Sequence, residues 1–191
     1  MTCADYTVEF DISQQLFEKW TVKCYNNWCI SQRRDCGLVY HSKVEAFRDW
    51  LQSEMEQRLS KLPDLGYEDE PVEHVKIAIT CFAFRNAELI RLLRERGVII
   101  KQEKWDKIEV IDRKINDLKN NHLEDLTTPC SAFMTFQCEE GYNRATRIDE
   151  AINNDPALKP LTIWLDDYTL DIKQACEPTD IIWENRHFTA L

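Results

Sequence analysis

An α+β fold is predicted for this chain: a ferredoxin-like or RRM-like split βαβ sandwich, helices on one face, with a helical hairpin inserted between strands two and three. Three observations in the 191-residue sequence carry this. Segments around Tyr6–Phe10, Val75–Cys81 and Ala132–Phe136 alternate apolar and polar residues at period two, as half-buried strands do. Helical periodicity separates the first strand from the second and follows the third. Two further helical repeats stand back to back between the second and third strands, where a hairpin adds to the sandwich without crossing it.

The first strand comes from "DYTVEFDI", in which Tyr6, Val8 and Phe10 alternate with Thr7, Glu9 and Asp11. Leu16, Phe17 and Trp20 predict a short helix, and "YNNWCISQRRDCG" reads as loop. Ser42 with Glu45 three residues on is a capping box, and Val44, Phe47, Leu51, Met55, Leu59 and Leu62 trace one helical face as far as Pro63. "LPDLGYEDEPVEH" has turn residues and acids without periodicity, so it reads as a solvated turn; it lacks the ligand register and closing Glu of an EF-hand. Strand two places Val75, Ile77, Ile79 and Cys81 on one face and Lys76, Ala78, Thr80 and Phe82 on the other. The insertion spans 86–121: Asn86 caps a helix carrying Leu89, Ile90, Leu92 and Leu93 that Gly97 closes, and Ile108, Ile111, Ile115 and Leu118 line a second helix. Strand three starts at Pro129. Glu139 and Glu140 then open a helix with Tyr142, Ala145, Ile148 and Ile152 on one face, ended by Asn153-Asn154-Asp155-Pro156. Strand four is placed at Thr169–Gln174, with Leu161–Leu165 as an accessory strand or hairpin arm before it. The segment 176–191 leaves the domain through "EPTDIIWEN".

Composition narrows the function classes. With 43% hydrophobic residues the chain can bury a core as a single domain over 1–191. Its formal net charge of −10 opposes the counterion release that drives binding to a phosphate backbone, so no nucleic-acid partner is expected. The longest nearly unbroken apolar run, Ile77 to Phe84, falls far short of the roughly 20 residues of a membrane-spanning helix. Without a positive-then-apolar start the chain reads as cytosolic, so its cysteines, Cys3, Cys24, Cys29, Cys36, Cys81, Cys130, Cys138 and Cys176, are expected as reduced thiols. Cys24, Cys29, Cys36 and His41 are soft ligands in a short stretch, with Cys24-x4-Cys29 at the wide end of a C-x2-4-C pair, and they are expected as a loop of reduced thiols. No cofactor is proposed.

Four pieces, "ADYTV", "FAFRNAELIRLLRER", "SAFMTFQCEEGYNRAT" and "EPTDIIWENRHF", together span nearly the whole chain. In them the sequence resembles the cytosolic domain of the hyperosmolality-gated, calcium-permeable stress-gated (OSCA-like) cation channels, which the family places between two transmembrane helices. The exit piece is the most specific, because in that family it leads straight into the next membrane helix. Residues 13–41 lie outside the resemblance. The resemblance implies a non-catalytic domain on the cytosolic side of a membrane, serving dimer contact or coupling cytosolic cues to the channel. Its partners would be the transmembrane portion of the same channel, a second copy in a homodimer and an anionic lipid surface. It carries over no pore, ion-binding or gating residue.

Two rival classes can be weighed on residues. RNA-recognition folds stack bases on aromatic residues of strands one and three beside a cation; here Pro129 occupies the cation position, Ser131 the first stacking position and Glu9 the strand-one position, leaving Phe133 alone. An enzyme needs convergent chemistry, whereas His41, His74, His122 and His187 are scattered and no phosphate loop or nucleophile motif occurs. Asp166 and Asp167, an adjacent carboxylate pair, are read as a turn before Tyr168. No catalytic, cofactor-binding or metal residue is assigned.

Three spatial expectations follow. Ser131, Phe133 and Thr135 should share the sheet's open face with Thr80 and Phe82, covered by Ile181, Ile182 and Trp183 of the exit segment or by a partner. The inserted helices should pack Ile108, Ile111, Ile115 and Leu118 on Leu89, Leu92 and Leu93, and expose Arg91, Arg94, Lys114 and Lys119, positions able to approach acidic lipid. Strands one and four should pair antiparallel, so that both ends of the domain leave from one side.

Overall fold

The structure, a computed structural model, describes residues 6–165 and 167–176. The exit residues Ile181, Ile182 and Trp183, together with Asp166 and His187, lie outside them, and so does the expectation that the exit segment covers the sheet. In chain order the elements are β1 (Thr7–Asp11), α1 (Gln14–Lys23), α2 (Tyr25–Cys36), α3 (Lys43–Leu59), β2 (Ile77–Phe84), α4 (Ala87–Lys101), α5 (Trp105–Asn121), α6 (Leu123–Leu126), β3 (Pro129–Phe136), α7 (Glu139–Thr146), α8 (Ile148–Asn154), a 3-10 helix (Pro156–Thr162), β4 (Ile163–Trp164), β5 (Tyr168–Thr169) and β6 (Lys173–Gln174). The fold is mixed α+β.

The main sheet has strand order β2-β3-β1-β6 with every neighbouring pair antiparallel. Its central pairing sets Thr7 against Thr135 and Asp11 against Ser131. β6 adds Gln174 opposite Val8 and Lys173 opposite Glu9. The expected pairing of the first and last strands is therefore present, in a shorter last strand than Thr169–Gln174. Thr169 belongs instead to a small hairpin in which Ile163 pairs with Thr169 and Trp164 with Tyr168, so of the expected arm Leu161–Leu165 only Ile163–Trp164 is strand, Leu161 and Thr162 closing the 3-10 helix.

Helices α1, α3 and α7 pack on one face of this sheet. Val8, Phe10, Ile12, Ala132, Met134 and Phe136 meet Leu16, Trp20, Phe47, Leu51, Met55 and Leu59 in a shared apolar core. Aromatic rings dominate one end: Trp20, Phe47, Trp50 and Phe82 stand 5.0–5.8 Å apart in successive contacts, and Trp164 extends the chain at 6.1 Å from Trp50. Ser42 caps α3 as its sequence foretells, its Oγ accepting from the Glu45 amide, while the Glu45 carboxylate reaches back to the His41 amide.

Several local expectations are corrected. Residues 25–36 are helix, not loop. Their sequence lacks an apolar stripe, but Tyr25 and Trp28 pack on the core and Gly37, at φ 70°, turns its amide back to the Arg33 carbonyl, closing the helix in the left-handed conformation glycine permits. Strand β2 carries a bulge: Ile77 pairs with Phe136 but Ile79 with Thr135, so one extra residue at Ala78 reverses the alternation. Thr80 and Phe82, paired with Met134 and Ala132, consequently face the helices, and Phe82 stacks 5.7 Å from Phe47. Ile79 and Cys81 take the open face with Thr135 and Phe133.

Gly97 does not close α4, which continues through Val98, Ile99 and Ile100 to Lys101; the turn comes at Glu103, φ 55°. Leu92 and Ile99 bury against Ile111 and Ile115, with Leu89, Ile108 and Leu118 around them, whereas Leu93 is exposed. The missed contribution of Ile99 follows from ending the helix too soon. Asn86 occupies the N-cap position without a side-chain cap bond. The insertion also extends past 121 into α6. Finally, the single helix expected from Glu139 to Ile152 is two, broken at Arg147. The Thr146 hydroxyl donates back to the Tyr142 carbonyl, a bond that competes with the backbone ladder and bends helices.

Candidate functional site

The residues weighed at the sequence level do not converge. Cys24 lies at the junction of α1 and α2, Cys29 within α2 and Cys36 at its end. Cys29 and Cys36 are seven helical positions apart, a rise of about 10 Å that no single ion bridges. Among the described residues no group of three or more His, Cys, Asp or Glu is placed to hold a metal. His41, His74 and His122 are exposed on separate elements, His122 within 3.5 Å of Asp125. Asp167 sits in the turn between β4 and β5 and pairs with Lys19. Arg91, Arg94, Lys114 and Lys119 are exposed on the inserted hairpin, as expected, with Arg91 bonded to Glu88.

Three other features organise the molecule. The first is the juxtaposition of the domain's ends. The Ala175 amide donates to the Thr7 carbonyl at 2.9 Å, so Tyr6 and Cys176 leave the sheet from the same end. β2 ends and β3 begins at the opposite end, beside Asp11, and it is there that the α4–α5 hairpin departs.

A second feature, absent from the sequence reading, is a buried ionic clasp. Glu140 and Arg144, one helical turn apart on α7, are 0% and 2% exposed. The Arg144 Nε donates to Glu140 Oε1 at 2.6 Å. Glu140 also accepts the backbone amides of Leu65 (2.8 Å) and Tyr67 (3.1 Å). The remaining guanidinium nitrogens of Arg144 donate to the Leu59 and Val72 carbonyls and to Asp64. Burial raises the Glu140 pKa, but the Leu65 amide, Arg144 and the Tyr67 amide outweigh it, and the carboxyl titrates below its ordinary range. Asp64 is likewise lowered, by the Gly66 and Val72 amides and then by Arg144. The stretch expected to be a solvated turn is thus a strap, 64–72, fastened to α7 by charge-assisted bonds. Its one sequence sign is the opposite-charge pair at i, i+4 bracketing Gly141, and burial of that pair is not something spacing reveals.

The third feature is a groove of about 920 Å³ at the hairpin end of the sheet. Phe17 and Val22 of α1, Val44 of α3, Phe84 of β2 and Leu123 and Leu126 of α6 supply its apolar lining. Glu18, Glu124 and Asp125 are the acidic members and Lys43 the basic one. Val22 and Leu123 are 84% and 58% exposed, unusual for large aliphatic side chains. No described helix is long and apolar enough to cross a membrane. Compared with known protein families, curated proteins and solved structures, the chain finds no match.

Proposed function

We propose that this chain is a non-catalytic cytosolic domain of a calcium-permeable, stress-gated cation channel, inserted between two membrane helices and acting through contacts with the rest of the channel. The observation that carries this reading is the pairing of β1 with β6, which brings Thr7 and Ala175 into hydrogen-bond contact. A domain inserted between two helices of one bilayer requires that its ends emerge together. The strand order β2-β3-β1-β6, with helices on one face, supports the finer reading of the fold as a split βαβ sandwich. The strap 64–72 is bonded to buried Glu140 and Arg144 beside the sheet end from which both termini leave.

The same geometry orders the proposed partners. The basic positions Arg91, Arg94, Lys114 and Lys119 belong to a hairpin rooted at the sheet end away from the termini. In an inserted domain that end points into the cytosol, which favours protein contact over lipid for the hairpin. An RNA-binding role draws no support from the open face, where Glu9 and Asp11 line β1 beside Phe133, nor from the net charge of −10. The direct test replaces the equivalent domain of a stress-gated channel with this chain and records calcium entry on a hyperosmotic step. Retained entry is expected; a chimaera delivered to the surface yet silent, in which the inserted domain keeps its protease-resistant core, would contradict the proposal.

A further inference from the structure

We propose that the groove between α1, the start of α3, the end of β2 and α6 receives a basic amphipathic helix of a protein partner. The floor is apolar and open: Phe17, Val44, Phe84 and Leu126 line it, and Val22 and Leu123 stand on it largely bare. At about 920 Å³ it has room for the apolar side chains of about two helical turns, the anchors that helix-in-groove recognition uses. Charge selects the occupant. Three carboxylates, Glu18, Glu124 and Asp125, border the apolar floor against a single cation, Lys43. Among the described residues the Glu18 carboxylate accepts from the Gln14 side-chain amide and Glu124 has no ion-pair partner, and both are exposed to external cations. Asp125 has His122 at 3.5 Å and is itself exposed. A segment with Leu or Phe at i, i+3, i+4 and i+7 and Lys or Arg on its flanks matches both the floor and its rim. The groove lies at the sheet end away from the termini, so an occupant need not compete with whatever the ends are joined to. The inference stands whether or not the domain belongs to a channel.

The test titrates the full chain with a labelled 18-residue Leu/Lys amphipathic peptide and, separately, with its Leu/Glu counterpart, by fluorescence anisotropy. The Leu/Lys peptide should bind with an affinity that falls as salt rises, and the Leu/Glu peptide at least tenfold more weakly. Val22→Ser and Leu123→Ser, at exposed positions, should each weaken Leu/Lys binding at least fivefold, and Ile79→Ser, an equally bare aliphatic on the open sheet face, should leave it unchanged. Glu18→Gln with Glu124→Gln should flatten the salt dependence, which keeps the test intact should an apolar variant fail to fold. Equal binding of both peptides, equal loss in Ile79→Ser, or occlusion of the groove by self-association of the chain in sedimentation would each overturn the proposal.

Discussion

Replacing Glu140 by Gln tests whether the strap is held by charge. The carboxylate accepts three donors, the Leu65 and Tyr67 amides and the Arg144 Nε. A carboxamide of the same shape has one acceptor oxygen, and its NH2 must then face a donor, while Arg144 stays charged and 2% exposed with Asp64 as its remaining anionic partner. Breaking a buried pair from one side costs about 3–5 kcal/mol. Asp64 offsets part of this, so the expected loss is about 3 kcal/mol at pH 7. In urea, with a slope of about 2 kcal/mol/M for a chain of this size, the midpoint should fall by about 1.5 M with the slope unchanged. Removing both charges with Glu140→Met and Arg144→Met should not restore stability, because the Leu65 and Tyr67 amides would lose the acceptor that fastens the strap. The pH dependence has a definite sign. A carboxyl whose folded pKa lies below its unfolded value of about 4.3 contributes fully above that value and loses its contribution as pH falls through the folded one. The gap between wild type and Glu140→Gln should therefore be constant from neutral pH to about 5 and close in more acid solution. A loss under about 1 kcal/mol, or a gap that persists undiminished at acid pH, would refute the account.

Other outcomes follow from packing. In Gly141→Ala the new Cβ would lie 2.9 Å from a ring carbon of Phe136 and 3.0 Å from Val75, both core residues, so a net destabilisation of about 1–2 kcal/mol is expected in thermal melts despite alanine's better helix propensity. Arg58 stands 4.4 Å over the Trp164 ring and donates to the Leu161 and Ile163 carbonyls; Arg58→Met should lower stability by about 1–2 kcal/mol and expose Trp164 to fluorescence quenchers. Replacing residues 87–126 with a short turn should leave a cooperative unfolding transition, since the hairpin buries Leu92, Ile99, Ile111 and Ile115 in a cluster of their own; loss of cooperativity would show that the two clusters are coupled.

Where local pattern and tertiary environment agree, the sequence is legible. β1 and β3 alternate because one face meets α1, α3 and α7, and the Ser42 capping box marks α3 to the residue. The paired helices of the insertion announce themselves through Ile108, Ile111, Ile115 and Leu118. Legibility fails where a single residue resets a phase or where polarity is buried. At Ala78 a bulge adds one residue to β2, and everything after it exchanges faces, so an unbroken alternation of Ile and Cys misassigns Thr80 and Phe82. Gly97 looks like a helix stop, yet its φ is not positive and no atom crowds its position, so α4 runs through it at a modest propensity cost. α2 lacks a stripe because its anchoring is concentrated in Tyr25 and Trp28. The groove was equally invisible: its apolar lining comes from α1, α3, β2 and α6, which only the fold assembles.

The Arg85 amide donates to the Thr128 carbonyl at 3.2 Å, closing the base of the inserted hairpin directly onto the β2–β3 ladder. This has a consequence for the order in which the molecule assembles. Joining β2 to β3 across a flexible loop of about forty residues carries a closure entropy about 2 kcal/mol above that of a four-residue turn. Helical hairpins whose contacts are local form early. Once α4 and α5 have docked, the two strands are held at a distance a short turn would span, and the closure of the β2–β3 pair is already made. Early closure of the insertion would favour correct pairing of β2, the strand whose bulge leaves its register least specified by pattern. Circularly permuted chains opened at the Glu103 turn should, on this account, reach the same native sheet by a slower route.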